Sequence, residues 1–331
     1  MVLVAIVLAN WVRDPLIINR WETLILLATG FSFFYVSGLG YTLVSFVKQY
    51  PQSDWPAIFK SCFKLLSLLG LGTAIAIFAL SESLTGESIP ANELMLISIY
   101  AFGSAVGTVL EYKFFLNQQF KTLMVWGILN LVCLVVLPCL PLILGKSFLT
   151  ALVFLAAYGL FRILITILII KPFTQTGKAF TKLLMQFNWP VITSLLFGTG
   201  YLYIAGFIIK QQVSAVDFNL YRYGSRDFPY FMVMANSFSV VLGGMTASGF
   251  GNSDFYSNIR KSHSRLMHQL FPLACLLILI APLLFEWVFT IDFKMAAGVF
   301  NILLFTLIPR LLFPQSILMG LGKTRYSLYA S

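Results

Sequence analysis

Charged residues are scarce in this chain of 331 residues. Asp, Glu, Lys and Arg together make up 10% of it, whereas 59% of the residues are hydrophobic and 32 are phenylalanine. A water-soluble domain of this size with so few charges would have too little polar surface to remain dissolved. The composition therefore excludes an ordinary soluble enzyme and indicates a chain that lies largely in a lipid bilayer.

The residue patterns of catalytic and metal centres are missing as well. There are two histidines, His263 and His268, and four cysteines without the C-x-x-C spacing of a metal or redox site. The chain contains no H-E-x-x-H, G-x-S-x-G or Walker sequence. We therefore predict no enzymatic activity, no catalytic residue, no metal and no cofactor. We interpret the two histidines as surface residues at the level of the lipid headgroups. A metal site formed by them is the weaker alternative.

Ten apolar stretches account for most of the chain. About 20 apolar residues in a helix cross the hydrocarbon of a bilayer, and lipid tolerates only segments that satisfy their own backbone hydrogen bonds. We therefore predict an all-α, polytopic transmembrane helix bundle with about ten helices, the first of them short. The stretches are 1–12, 22–47, 57–80, 93–116, 122–143, 147–170, 183–209, 229–250, 266–290 and 294–319.

Basic residues accumulate in every second connection between these stretches. Because Lys and Arg are enriched in cytoplasmic loops, this alternation predicts which connections face the cytoplasm, and it explains the net charge of +10 without a nucleic-acid partner. The predicted cytoplasmic set is Lys48, Lys60 and Lys64; Lys113 and Lys121; Lys171, Lys178 and Lys182; Arg260, Lys261 and Arg265; Lys323 and Arg325. The predicted outer set is nearly neutral and contains Arg13, Arg20, Lys146, Lys210, Arg222, Arg226, Lys294, Asp14, Glu22, Glu82, Glu87, Glu93, Asp217, Asp227 and Asp292.

A few charges interrupt the apolar stretches themselves. Arg162 and Arg310 both lie well inside a predicted span, and Glu111 lies near the cytoplasmic end of another. Placing such a charge in a membrane helix costs at least about 2.5–3.5 kcal/mol. One interpretation is neutralisation, with Arg162 pairing Glu111 and Arg310 bonding carbonyls freed by nearby prolines. The other is that all three residues line an aqueous cavity, where the guanidinium groups bind an anionic headgroup bidentately.

The outer connection around residues 217–229, DFNLYRYGSRDFP, is the most polar motif of the second half. We interpret it as a loop that caps the next helix, with Asp227 near the helix start and Pro229 in the first turn. The alternative is contact with sugars or phosphate at the outer mouth. The residues of that second hypothesis are Tyr221, Arg222, Tyr223, Arg226 and Asp227.

Two segments resemble a known family. The run FNLYRYGSRDFPYFMVMANSFSVVLGG, preceded by Asn188-Trp189-Pro190, and the run PRLLFPQSILMGLGKTRYS near the end are similar to helices seven, eight and ten of polysaccharide flippases. These flippases belong to the multidrug/oligosaccharidyl-lipid/polysaccharide exporter superfamily. The resemblance is specific over about 217–244 and 309–327.

The resemblance implies two six-helix lobes around a central cavity that opens alternately to either side. Residues 1–171 would form the first lobe, 172–182 a cytoplasmic linker, and 183–331 four helices of an incomplete second lobe, so we expect the chain to be a fragment. The implied function is to flip a lipid-linked oligosaccharide, carried on a polyprenyl pyrophosphate, to the outer leaflet of a bacterial cytoplasmic (inner) membrane. This step serves the synthesis of surface polysaccharides such as O-antigen and lipopolysaccharide. The implied partners are that lipid, membrane lipids and other polysaccharide-assembly membrane proteins.

Two other functions remain open at this point. An ion-coupled antiporter of organic cations, on the same fold, would need acidic residues deep in the cavity, whereas Glu111 and Glu286 lie nearer the ends of their spans. A membrane-embedded polysaccharide polymerase or ligase would need a large outward loop with catalytic residues. The stretch 210–228 is too small for that, so we rank this alternative third.

Overall fold

All regular structure in the described residues is helical, as predicted. The computed structural model describes residues 2–173, 180–226, 234, 238 and 253–310. The helices are α1 (Val2–Val7, continued by a π-helical turn over Leu8–Val12), α2 (Pro15–Gly30), α3 (Phe33–Val47), α4 (Trp55–Thr85), α5 (Ala91–Leu116), α6 (Phe120–Ile143), α7 (Phe148–Ile170), α8 (Thr181–Gly198), α9 (Tyr201–Gln212), α10 (Ala215–Gly224), α11 (Ser253–Val288) and α12 (Ala296–Arg310).

Five of these helices are long and apolar enough to cross a membrane by themselves: α4, α5, α6, α7 and the part of α11 from Arg260 to Val288. Two bent pairs, α2 with α3 and α8 with α9, raise the number to seven if each pair is one span. The chain is therefore a multi-pass membrane helix bundle. The expected ten spans are not confirmed, because only residues 234 and 238 of 229–250 are described, 294–319 is described only to Arg310, and 1–12 is short.

The predicted spans 22–47 and 183–209 are not continuous helices. The axis turns by 47° between α2 and α3 and by 41° between α8 and α9. At the first break, the hydroxyl groups of Thr29 and Ser32 donate to the carbonyls of Ile25 and Ala28 at 2.6 and 2.8 Å, a back-bonding that bends helices. The carbonyl of Phe31 accepts instead from Thr73 of α4 at 3.0 Å.

The second break depends on glycine and proline. Pro190 interrupts the hydrogen bonding within α8, and a Cβ at Gly200 would overlap the carbonyl of Leu196. Both breaks carry the same short sequence, Thr-Gly followed by an aromatic residue, at 29–31 and 199–201. The two breaks thus share a local sequence, although such a sequence does not by itself require the helix axis to turn.

The two bent spans pack against each other along their length. α2 contacts α9, α3 contacts α8, and the ring of Phe33 stacks on Tyr203 next to the breaks with centroids 4.3 Å apart. A Cβ at Gly30 would lie 3.2 Å from the ring of Phe207. The first and second halves of the chain thus meet at a pair of broken helices, both broken at about the same depth.

α5 and α7 form the closest helix pair of the bundle. Gly103 and Gly107 of α5 have the G-x-x-x-G spacing that lets membrane helices approach closely, and Gly103 lies against the backbone of Gly159 in α7. A Cβ at Gly107 would overlap the guanidinium group of Arg162. These glycines therefore bring α7 close to α5 and make room for a buried charge between the two helices.

Candidate functional site: buried ion pairs of the bundle

Arg162 and Glu111 form an ion pair between α7 and α5. Nη2 of Arg162 lies 2.6 Å from Oε1 of Glu111. The Arg162 side chain is only 9% exposed, whereas that of Glu111 is 39% exposed. The predicted neutralisation of Arg162 by Glu111 is confirmed, and the pair is accessible from the Glu111 side.

Two further polar residues extend this pair and were missed in the sequence. The guanidinium group of Arg162 lies 6.0 Å from the ring centroid of Tyr158, one helical turn earlier, and the Tyr158 hydroxyl donates to Asn130 of α6 at 2.7 Å. The buried Nε of Arg162 has no hydrogen-bond acceptor among the described residues. Asn130 is the one asparagine within α6, which is the signal that could have identified it.

Arg310 is the last residue of α12, and its side chain lies outside the described residues. A cavity shared by Arg162 and Arg310 therefore stays a prediction. Glu286, another acidic residue of an apolar stretch, pairs with Lys294 at 3.1 Å. Because both partners are partly exposed, this second pair does not place a buried charge in the bundle.

The motif around residues 217–229 is a helix over much of its length, so the predicted loop is wrong there. α10 begins after Ser214, whose hydroxyl accepts from the backbone N–H of Asp217 at 3.2 Å, and it continues to Gly224. Burial of Phe218 and Tyr223 against the bundle stabilises the helix. Asp227 and Pro229 lie outside the described residues, so the capping prediction cannot be compared with the structure.

The two arginines of this motif bind Glu22 of α2. Nε of Arg222 lies 3.3 Å from Oε2 of Glu22, and Nη2 of Arg226 bonds the other carboxylate oxygen. Glu22 is fully buried, although the charge pattern had placed it in an outer connection. Burial lowers the pKa of the Arg222 guanidinium, and the Glu22 carboxylate opposes that shift.

The two tyrosines of the motif differ in burial. Tyr223 is buried, its hydroxyl donates to the carbonyl of Ala5 at 3.1 Å, and its ring centroid lies 5.1 Å from the guanidinium carbon of Arg226. Tyr221 is partly exposed. The sequence hypothesis had Arg222, Tyr223 and Arg226 at the outer mouth. In the structure they pack between α10 and the first helices instead.

A polar segment of α2, Asn19 to Glu22, connects both halves of the chain at this end. Nζ of Lys210 in α9 donates to Asn19 at 2.9 Å and to Glu87 at 2.7 Å, and the Lys210 side chain is 3% exposed. Arg20 pairs with Glu93 of α5, with Nε and Oε2 2.8 Å apart. Neighbouring residues of α2 thus bind α5, α9 and α10, and Lys210 of α9 also binds Glu87 in the connection before α5.

Each of these ion pairs joins residues of the same predicted membrane side. Arg20, Glu22, Glu87, Glu93, Lys210, Arg222, Arg226, Glu286 and Lys294 pair among themselves, and all were assigned to the outer side or the outer helix ends. Five cations and three anions of the predicted outer set thus neutralise one another or Glu286 in ion pairs.

We expect Ser88→Cys to react with a membrane-impermeant maleimide in intact cells and Lys121→Cys to react only after permeabilisation. Both side chains are exposed, and they lie in connections of opposite predicted side. The four native cysteines are first replaced with serine. Labelling of position 121 but not of position 88 in intact cells would invert the assignment, and with it that of Lys60, Lys178, Lys261, Glu87 and Asp217.

No three His, Cys, Asp or Glu side chains cluster as a metal site requires within the part of the chain that the structure describes. No protein-family model, curated protein or solved structure matches this chain. Its function is therefore inferred from the geometry above and from the sequence motifs.

Proposed function

We propose that this chain is a flippase that moves a lipid-linked oligosaccharide of the polyprenyl-pyrophosphate type from the cytoplasmic to the outer leaflet of a bacterial cytoplasmic membrane. The observation that carries the proposal is the pair of broken spans, α2/α3 and α8/α9, which pack against each other. Interrupted helices line the substrate pathway of many membrane transporters.

The breaks separate the outer from the inner contacts between the halves of the chain. α2 contacts α9 and α10 on the predicted outer side, and α3 contacts α8 on the predicted inner side. Each span turns by more than 40° at its break, and in our proposal the outer helices tilt about these breaks while the inner ones keep their packing. This is the mechanical requirement of alternating access.

Arg162 supplies a charge suited to the headgroup. Its guanidinium group is planar and matches the oxygens of a phosphate bidentately. The partly exposed Glu111 neutralises it in the absence of substrate. We assign Arg310 as the second contact of the pyrophosphate, and the resemblance of 217–244 and 309–327 to polysaccharide flippases supports this substrate over others.

The alternative functions have less support. An antiporter of organic cations needs an acidic residue with free negative charge, but Arg162 compensates the charge of Glu111. A polymerase or ligase needs an outward catalytic region, and only residues 213–214 separate α9 from α10. Neither alternative gives the buried Arg162 a role.

The test is a transport assay with the full-length gene product, purified and reconstituted into lipid vesicles. We expect a polyprenyl-pyrophosphate oligosaccharide with a fluorescent sugar to become accessible to an impermeant quencher at least ten times faster than in protein-free vesicles. The same oligosaccharide on a polyprenol without phosphate should not be transported, because it offers Arg162 no anion. Equal rates with and without protein would refute the proposal, and transport of an organic cation instead would favour the antiporter.

A further inference from the structure

Glu22 occupies a site that has the features of an anion-binding site. Its carboxylate is fully buried, and each oxygen binds a different guanidinium group, one from Arg222 and one from Arg226. The Nε of Arg226 is buried without an acceptor among the described residues. Two cations thus surround one carboxylate, and a hydrogen-bond donor is still available.

The carboxylate and the two arginines come from opposite halves of the chain. α2 and α10 are otherwise joined by few polar contacts, of Asn219 to the carbonyl of Pro15 at 2.9 Å and of Asn19 to the carbonyl of Ala215 at 3.3 Å. In the alternating access proposed above, α10 would move away from α2 on opening and the arginines would lose Glu22. Two converging guanidinium groups without a carboxylate repel each other, so this separated state favours the binding of another anion.

A phosphate or pyrophosphate meets that requirement better than a carboxylate does. It offers more oxygens and more negative charge to two converging guanidinium groups. One of these oxygens can accept from the Nε of Arg226, which has no acceptor among the described residues. The inner pair has the same design, because Arg162 also holds a carboxylate from another helix and also has a buried Nε without an acceptor among the described residues.

We propose that Arg222 and Arg226 form a second binding site for the phosphate group of the transported lipid, and that Glu22 is the internal anion that occupies this site until α2 and α10 separate. The inference rests on the proposed function for the identity of the ligand. Glu22 then has two roles. Its carboxylate holds α2 and α10 together when substrate is absent, and it competes with small anions for the two arginines.

Glu22→Gln tests this competition directly. A carboxylate attached to the same protein competes at a high effective concentration, so its removal should tighten binding of inorganic pyrophosphate, measured by calorimetry on reconstituted protein, at least tenfold. Adding Arg226→Ala to Glu22→Gln should abolish the gain. Glu93→Gln, which removes another carboxylate that binds α2, is the matched control and should leave the affinity unchanged. An unchanged affinity in a folded Glu22→Gln protein overturns the proposal.

If Glu22→Gln does not fold, a distance measurement on protein that retains Glu22 tests the proposal. Spin labels at Leu16 of α2 and Val216 of α10, both exposed, report the separation of the two helices. We expect saturating pyrophosphate to lengthen the distance between the labels by several ångströms, and an unchanged distance would refute the inference.

The lipid and the free anion can be distinguished in the same experiments. Farnesyl pyrophosphate should bind more tightly than inorganic pyrophosphate if the ligand is a lipid headgroup, whereas equal affinities would overturn the assignment of a lipid. Failure of the proposed function is seen separately. A protein that flips no lipid but shows the tenfold gain refutes only the flippase, and one that flips the lipid without any gain refutes only the role of Glu22.

Discussion

Replacing Arg162 with alanine should abolish transport, and replacing Glu111 with glutamine in the same protein should not restore it. Loss of the guanidinium group removes the countercharge for the pyrophosphate. It also leaves Glu111 without its partner, and breaking one side of a buried pair typically costs on the order of 3–5 kcal/mol. Because Glu111 is 39% exposed and can be hydrated, we expect a cost at or below the lower end of that range.

The double variant separates binding from folding. Arg162→Ala with Glu111→Gln has no unpaired charge, so the amount of folded protein should return to near the wild-type level while transport stays absent. Arg162→Lys should keep partial activity, since the charge remains but the bidentate geometry does not. The measurements are immunoblots of membranes and the vesicle assay. Normal surface polysaccharide in an Arg162→Ala, Arg310→Ala protein at normal level would exclude both arginines from the mechanism.

Replacing Gly103 with valine should strongly destabilise the packing of α5 on α7. The new Cβ would overlap the carbonyl group of Gly159, which is backbone and cannot rotate away. Overpacking of this kind typically costs about 1–3 kcal/mol, and we expect a value near the upper limit because α5 and α7 would have to move apart. The same reasoning applies to Gly159→Val, whose Cβ would lie 2.9 Å from the carbonyl oxygen of Ile99.

Gly127→Val in α6 is the matched control. It makes the same chemical change within a membrane helix, but a Cβ there meets nothing within 4 Å. Thermal unfolding in detergent, followed by tryptophan fluorescence, should show a clearly lower midpoint for Gly103→Val and a midpoint near wild type for Gly127→Val. Equal midpoints for the two variants would contradict the close packing of α5 on α7.

The sequence by itself determined the class of fold and which charges lie at the same end of the bundle. Transfer of a helix into lipid depends on the apolar content of about 20 consecutive residues, a local property that can be counted. The alternation of basic connections is equally local, and each ion pair at Arg20, Glu22, Lys210 and Arg162 joins residues of one predicted side. The pairing of Arg162 with Glu111 followed because both charges had to be neutralised near the same end of their helices.

Only the tertiary structure decided the breaks in the two bent spans, the helix α10 and the position of Glu22. Hydropathy averages over a window and is insensitive to a turn of the helix axis, so 22–47 and 183–209 appeared continuous. A short polar stretch is typical of a loop unless apolar burial stabilises it as a helix, and for α10 that burial comes from distant segments of the chain. Glu22 lies about 200 residues from Arg222 and Arg226, and only the folded chain brings this carboxylate between two guanidinium groups.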